Sequence, residues 1–525
     1  MLRALWGVVM SHANVTLAAL VAVAACVAWF IISSLLSRKL KRPLGPLRFP
    51  IVGNALQFPQ TQQWLTFSRW AEKYGDVVYL EVFGKPLVLL NSAKAARDLL
   101  EQRSTIYSDR PRLEMASLSG FDKVFVLSQP NDSWRLQRKI IAQDLSSRMM
   151  PRYHAFQEAE ARLLAKNLIE RPGQLESHVK QRIGTIIIRI TYGRYISGEN
   201  DPLLAIGRAS MDIFSRAAEP GLWLVDSIPM LKDLPAWLPG MGFLTTAKGW
   251  REIVYKSAWD PYHWSKRSFE LGTVLLPNTC ATALQEKQGK LPADLAEEVA
   301  WAACTMHAGG IHTSVISTLN FFLAMVLNPA IQAKAQKEID AVIGRDRLPT
   351  IADRSSLPYV RSIVTEVFRL NPAIPLGIPH SLSTDDIYQG MHLPQGSIII
   401  PNIWHMLHDP AIFPNPMKFD PDRYRNLDSE MEKVNSVFGF GRRICPGKDF
   451  GESNVFAIAA TLLATCDIRP AVDARGNNVI PNVVYSSGSL SFPSKFDCTI
   501  KPRSKQAYDL LGYSALEKPD SSLVN

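Results

Sequence analysis

The chain has 525 residues, 47% of them hydrophobic and 20% charged, with a formal net charge of +10. That composition excludes a disordered or fibrous protein. The positive balance suits an acidic partner or an anionic membrane surface, and no basic run in the body marks a nucleic-acid interface.

Residues 15–36 form an apolar run broken only by Thr16, Ser33 and Ser34, long enough to cross a hydrocarbon core as a helix. Arg38, Lys39, Lys41 and Arg42 follow at once, whereas only Arg3 precedes, which puts the rest of the chain on the cytoplasmic side. A cleaved signal peptide competes through Ala22-Val23-Ala24, but the run stays apolar past that site. Pro43, Pro46 and Pro50 then stop the helix. Residues 1–42 are therefore read as an anchor, 43–505 as one catalytic body and 506–525 as a tail.

In the body, Trp64, Phe67, Ala71 and Tyr74 recur at helical spacing up to Gly75. Strands at 77–82 and 86–90 flank Gly84-Lys85 as a hairpin, and Ser92 caps a short helix. Helical patterns dominate from about 130 to 345; the longest, 294–327, ends at Asn328-Pro329. Further helices are expected at 329–342, 357–370 and 447–465, short strands at 374–425, and a hairpin at 478–502. The chain is mainly α with minor sheets.

Of six scattered cysteines, at 26, 280, 304, 445, 466 and 498, none has the spacing of a disulfide framework or zinc site. Cys445 stands apart. Glycines at 439, 441 and 447 let the backbone approach a flat ligand closely, and a helix beginning after Gly447 favours a thiolate. Arg443 is suited to a carboxylate. Phe438, Gly441, Arg443, Cys445 and Gly447 fill every fixed position of a pattern that resembles the haem-binding signature of the cytochrome P-450 family.

Other segments resemble the same family in the right order. Glu366 and Arg369 share a helix face, and the resemblance implies that Arg423 joins them in a buried structural triad. Trp134 and Arg138 resemble the family's Trp-x-x-x-Arg, which places the arginine on a haem propionate; His380 stands where a second propionate donor is frequent. The likeness covers roughly residues 43–503 and is greatest to fungal microsomal members. It implies a cytochrome P-450-like fold preceded by one transmembrane helix, haem b on the Cys445 thiolate, and a place on the cytoplasmic face of the endoplasmic reticulum. It also implies insertion of one oxygen atom of O2 into an apolar small molecule, a fungal secondary metabolite such as a terpenoid. Electrons from NADPH arrive through a flavin reductase docked on a basic face that includes Arg135, Lys139, Arg442 and Lys448.

The long helix carries Gly309, Gly310, His312 and Thr313. Two interior glycines cost about 1 kcal/mol each relative to alanine, so they point to a use. The resemblance assigns both to an oxygen groove and Thr313 to proton delivery. The residue before that threonine is normally acidic; here it is His312, which is also able to relay protons near neutral pH. That departure keeps two alternatives open: a haem-thiolate isomerase or dehydratase that needs no external electrons, and a haem-binding protein without turnover. Phe121, Val124, Met306, Ile374, Leu376 and Tyr485 are the expected lining of the substrate pocket.

Overall fold

The computed structural model describes residues 41–512, apart from 197, 199–200, 220–221 and 425–426. The expected membrane span at 15–36 lies outside the described residues.

Helix α1 (Gln63–Tyr74) buries Trp64, Phe67 and Ala71 and ends where Gly75 takes φ 98°. Strands β1 (Val77–Val82) and β2 (Lys85–Leu90) pair antiparallel as the expected hairpin. The Ser92 side chain accepts from the Ala95 N–H and opens a short helix that runs on as a π-helical turn, Arg97–Gln102. A group of helices follows: α2 (Asp132–Leu145), α3 (Pro151–Glu170), α4 (Leu175–Tyr192), α5 (Pro202–Ala217) and α6 (Gly242–Glu270). They pack around α7 (Ala293–Leu327), which from Val299 onward is buried along most of its length, the mark of a helix enclosed by others. Among the described residues it alone is long and apolar enough to cross a membrane, but it is mostly buried inside the body.

Helices α8 (Pro329–Val342) and α9 (Pro358–Leu370) both begin on proline, whose missing N–H costs nothing in a first turn. Next come β3 (His380–Ser381), β4 (Asp386–Tyr388), β5 (Met391–Leu393) and β6 (Ile398–Pro401). The first sheet runs β1-β2-β6-β3, and β4-β5 forms a separate ribbon. Helix α10 (Lys448–Thr465) carries the chain from the Cys445 loop into the main core, alongside α7 and α3.

The C-terminal strands differ from the expected hairpin at 478–502. β8 (Asn478–Val479) and β9 (Cys498–Pro502) both pair with β7 (Cys466–Val472), not with each other. Hairpin pairing is confined to the turn between Val484 and Ser494, where Tyr485 bridges Pro493. β7 is therefore the central strand of this sheet, with β8 on one edge and β9 on the other. Residues 506–511, assigned to the tail from sequence, pack on the body through buried Leu511 and a Tyr508–Glu170 hydrogen bond.

Candidate functional site

The Cys445 loop is fixed by its glycines. Gly441 takes φ 54°, and a Cβ there would stand 2.1 Å from the Leu100 carbonyl oxygen. Gly439 takes φ 82°. The Cys445 N–H donates to the Phe438 carbonyl at 2.8 Å, and the Phe438 ring meets Phe368 of α9 edge-on. Cys445 is exposed, although protein atoms crowd it from the remaining sides. That crowding pushes the thiol up, and the Gly447 N–H and Arg138 guanidinium pull it part of the way back.

Donors converge beside this thiol. Arg443 Nε and Nη2 donate to the carbonyls of Ser108 and Ser128, each at 2.8 Å, and its guanidinium lies 4.5 Å from the Trp134 ring centre. Arg443 Nη1 and Trp134 Nε1 are buried without a partner among the described residues. Arg138 reaches from α2 to the Ile444 carbonyl at 3.1 Å. His380 Nδ1 meets the Tyr107 carbonyl at 2.8 Å, and burial with Arg110 and Arg443 nearby holds the imidazole well below its ordinary value. Burial lowers Arg443 to about 10. Arg110 is a further member that the sequence did not single out; it is buried and donates to the carbonyls of Val126, Ile378 and Pro379. The carboxyl near this group, Asp109, is itself raised by burial. Three arginines and two orphaned donors against one such carboxyl fit a ligand with two carboxylates, as haem has, and an accessible sulfur beside them fits its iron.

The structure brings Glu366, Arg369 and Arg423 together. Arg369 Nε and Nη2 clasp Glu366 at 2.7 and 2.8 Å, and Arg423 Nε reaches it at 3.1 Å. Tyr424 adds a hydroxyl at 2.8 Å and the Asp420 N–H another donor at 3.0 Å. Arg369 also holds the carbonyls of Leu407 and Pro416. No charge or lone pair of Glu366 is wasted, which is what makes a fully buried ion pair tolerable.

On α7 the two glycines part company. Gly309 is exposed in the middle of a buried helix, with nothing within 4 Å of a would-be Cβ. Gly310 instead packs on α4: a Cβ there would stand 2.6 Å from Ile187 Cδ1. Its expected role in an oxygen groove gives way to close helix packing, because it is turned about 100° around the helix from Gly309, toward α4. Met306, one turn earlier on that face, is likewise in the core, with the Thr279 hydroxyl 3.5 Å from its sulfur. The Thr313 hydroxyl donates to the Gly309 carbonyl at 2.8 Å, and His312 Nδ1 approaches the Ala308 carbonyl at 3.4 Å.

The remaining expected lining residues are dispersed. Phe121 and Val124 pack in a cluster with Phe214, Trp301 and Cys304, and Leu376 leans on the first sheet. Ile374 is half-buried and accepts from the Gly377 N–H. The Tyr485 hydroxyl lies 3.2 Å from Asn320 Oδ1 on α7. A cleft of about 750 Å³ opens between α4, α5, α7 and the 490–497 segment, and His312 lines it, but none of those six residues does. Among the described residues no group of three metal-binding side chains occurs.

Residues 43–487 match the family model described as Cytochrome P-450. The chain is 51% identical to Cytochrome P-450 monooxygenase 105 of Postia placenta over 89% of its own length and 90% of the relative's. It is 46% identical to Cytochrome P-450 monooxygenase 226 of the same fungus over 95% of each chain. Cytochrome P-450 monooxygenase claR of Ampulloclitocybe clavipes is 37% identical over 92% of this chain and 90% of its own. With the sulfur loop, the cation cluster and the buried triad in place, and with matches of this extent, the chain belongs to the cytochrome P-450 family.

Proposed function

We propose that this chain is a haem-thiolate monooxygenase that inserts one atom of O2 into an apolar small molecule, such as a fungal terpenoid, using electrons from NADPH through a flavin reductase. The observation that carries the reading is the exposed Cys445 thiol beside unpaired Arg443 and Trp134 donors. Haem bound there supplies oxygen activation, favoured by electron donation from a thiolate. Cys445 is the sulfur ligand, and Arg443, Trp134, Arg138 and Arg110 hold the carboxylates; His380 joins them once a carboxylate raises its basicity. Gly309 keeps the groove open, Thr313 presents a hydroxyl in it, and His312 moves protons toward it. The exposed Arg135, Lys139 and Arg442, with the half-buried Lys448, form a basic face suited to an acidic reductase.

The test is the spectrum of the dithionite-reduced, carbon monoxide-treated protein. A thiolate-type Soret band that disappears in Cys445→Ser is expected; no such band in the parent protein sinks the reading. His312 favours one competitor, an isomerase or dehydratase, which turnover without reductase and NADPH would establish.

The apolar run at 15–36 supports a single membrane span in the endoplasmic reticulum with the body on the cytoplasmic side. Leu222, Leu224, Met230 and Trp237 are exposed, as are Leu44, Leu47 and Ile51 near the end of the anchor. Lys85, in the first hairpin, donates to the Asp226 carbonyl and ties the first of these patches to the β-sheet region. Together they suit a lipid surface, and carbonate-resistant association with microsomes is the expected behaviour.

A further inference from the structure

The carboxylate usual before Thr313 is replaced by His312, and the cleft that His312 lines brings a carboxylate from another helix. Asp212 and Arg208 of α5, Lys180 of α4 and His312 of α7 all face this one space of about 750 Å³. We propose that Asp212 is a positioning residue for oxygen activation: it sustains the imidazolium of His312, so that the pair does what a single carboxylate on α7 would otherwise do. The proposal rests on the monooxygenase reading above.

The geometry gives the ring two distinct sides. Nδ1 approaches the Ala308 carbonyl at 3.4 Å, on the helix that presents the Thr313 hydroxyl to the Gly309 carbonyl. Nε2 is then the nitrogen left for the cleft, and the Phe492 ring, edge-on at 6.3 Å, limits how far the imidazole swings. A proton taken from water in the cleft at Nε2 is matched by one released from Nδ1 to the Thr313 hydroxyl, which passes its own proton to the reduced oxygen, so one positive charge and no electron moves. Asp212 does not enter the transfer; it acts through His312.

The charges around the ring are specific. Glu176 and Lys180 come from α4, Arg208 and Asp212 from α5, and Lys495 and Asp497 from the C-terminal segment. On α7 itself the neighbour is His307, buried and held down to about 4. Burial lowers His312, the Ala308 carbonyl and Asp212 raise it, and Lys180 and Arg208 lower it. Removing Asp212 therefore removes a support for the charged ring, whereas removing Lys180 strengthens that ring's charge.

The experiment uses the full-length holoenzyme and diethyl pyrocarbonate, which attacks neutral imidazole. The rate of carbethoxylation at His312, read by peptide mass, is followed from pH 5 to 8. Asp212→Asn is expected to move the midpoint down by about 0.5–1 unit and Lys180→Gln to move it up. With reductase, Asp212→Asn is expected to release several-fold more hydrogen peroxide per NADPH, and Asp212→Glu to restore coupling. An unmoved midpoint, no modification of His312 at any pH, or a shifted midpoint with unchanged peroxide release overturns the proposal. A parent protein lacking the thiolate-type carbon monoxide band indicts the monooxygenase reading instead.

Discussion

Gly310 stands so close to Ile187 that a Cβ on it would lie 2.6 Å from the Ile187 Cδ1, whereas the neighbouring Gly309 faces open space. Two substitutions that look alike in sequence should therefore have opposite signs. Gly309→Ala gains helix propensity, up to about 1 kcal/mol, and narrows the groove beside Thr313. Gly310→Ala gains the same propensity but overpacks the α4–α7 contact, for a net loss of about 1 kcal/mol, relieved by Ile187→Val. Thermal unfolding of the four proteins checks this; equal shifts for both alanines would contradict it.

Arg443 keeps one nitrogen unpaired while its other two bind the Ser108 and Ser128 carbonyls. Arg443→Leu should lower the haem-to-protein ratio of purified enzyme several-fold, with Arg443→Lys intermediate because an ammonium cannot reproduce the fork. Trp134→Phe keeps the stacking on Phe125, whose ring is 5.6 Å away, and loses only a donor, so its effect should be smaller. The pyridine haemochromogen assay measures all three.

Glu366→Gln leaves Arg369 and Arg423 sharing an uncharged partner in a site where Arg369 has no exposed surface. Loss of about 3–5 kcal/mol is expected, enough to abolish accumulation of folded enzyme. Tyr424→Phe removes one hydroxyl from the same carboxylate and should cost about 1–3 kcal/mol. Chemical denaturation of the Tyr424 variant, with expression level for the Glu366 variant, tests the ranking.

Acid should destabilise the body through its buried histidines. His307 is held down to about 4 and His408 to about 3, both chiefly by burial. The unfolded chain binds protons at these positions below about 6.5 while the folded protein does not, so stability falls as pH drops through that value. Each histidine contributes a loss of about 2 kcal/mol between pH 7 and 5. Denaturation midpoints at the two pH values, and a shallower slope in His408→Gln, are the expected results.

The local features were readable from the chain. Gly75, Ser92 and Pro329 announce their helix ends because caps depend on neighbours a few residues away. The five fixed residues around Cys445 and the Glu366–Arg369 pair were legible for the same reason. Partnership between distant segments was not. The stretch 478–502 reads as a hairpin but carries no signal that both β8 and β9 choose β7. Arg110, within Ser108-Asp109-Arg110-Pro111, reads as a surface turn; only tertiary contact buries it against Ile378 and Pro379. The periodicity of α7 likewise could not say which of two adjacent glycines faces α4. Asp212 carries no motif at all, and its bearing on His312 exists only through the packing of α5 beside α7.

The seat of the sulfur loop is a carbonyl, not a side chain: Gly441 rests on the oxygen of Leu100, inside the π-helical turn Arg97–Gln102. A π turn holds one more residue than the α-helix it interrupts. Point changes at Leu100 or Glu101 can thus drift while the joint keeps its shape, but deletion of a single residue there would rotate the following backbone by about 100° and withdraw that oxygen. The placement of the thiol is set by chain length in a segment more than 300 positions away, a dependence that insertion and deletion scanning would expose and substitution scanning would miss.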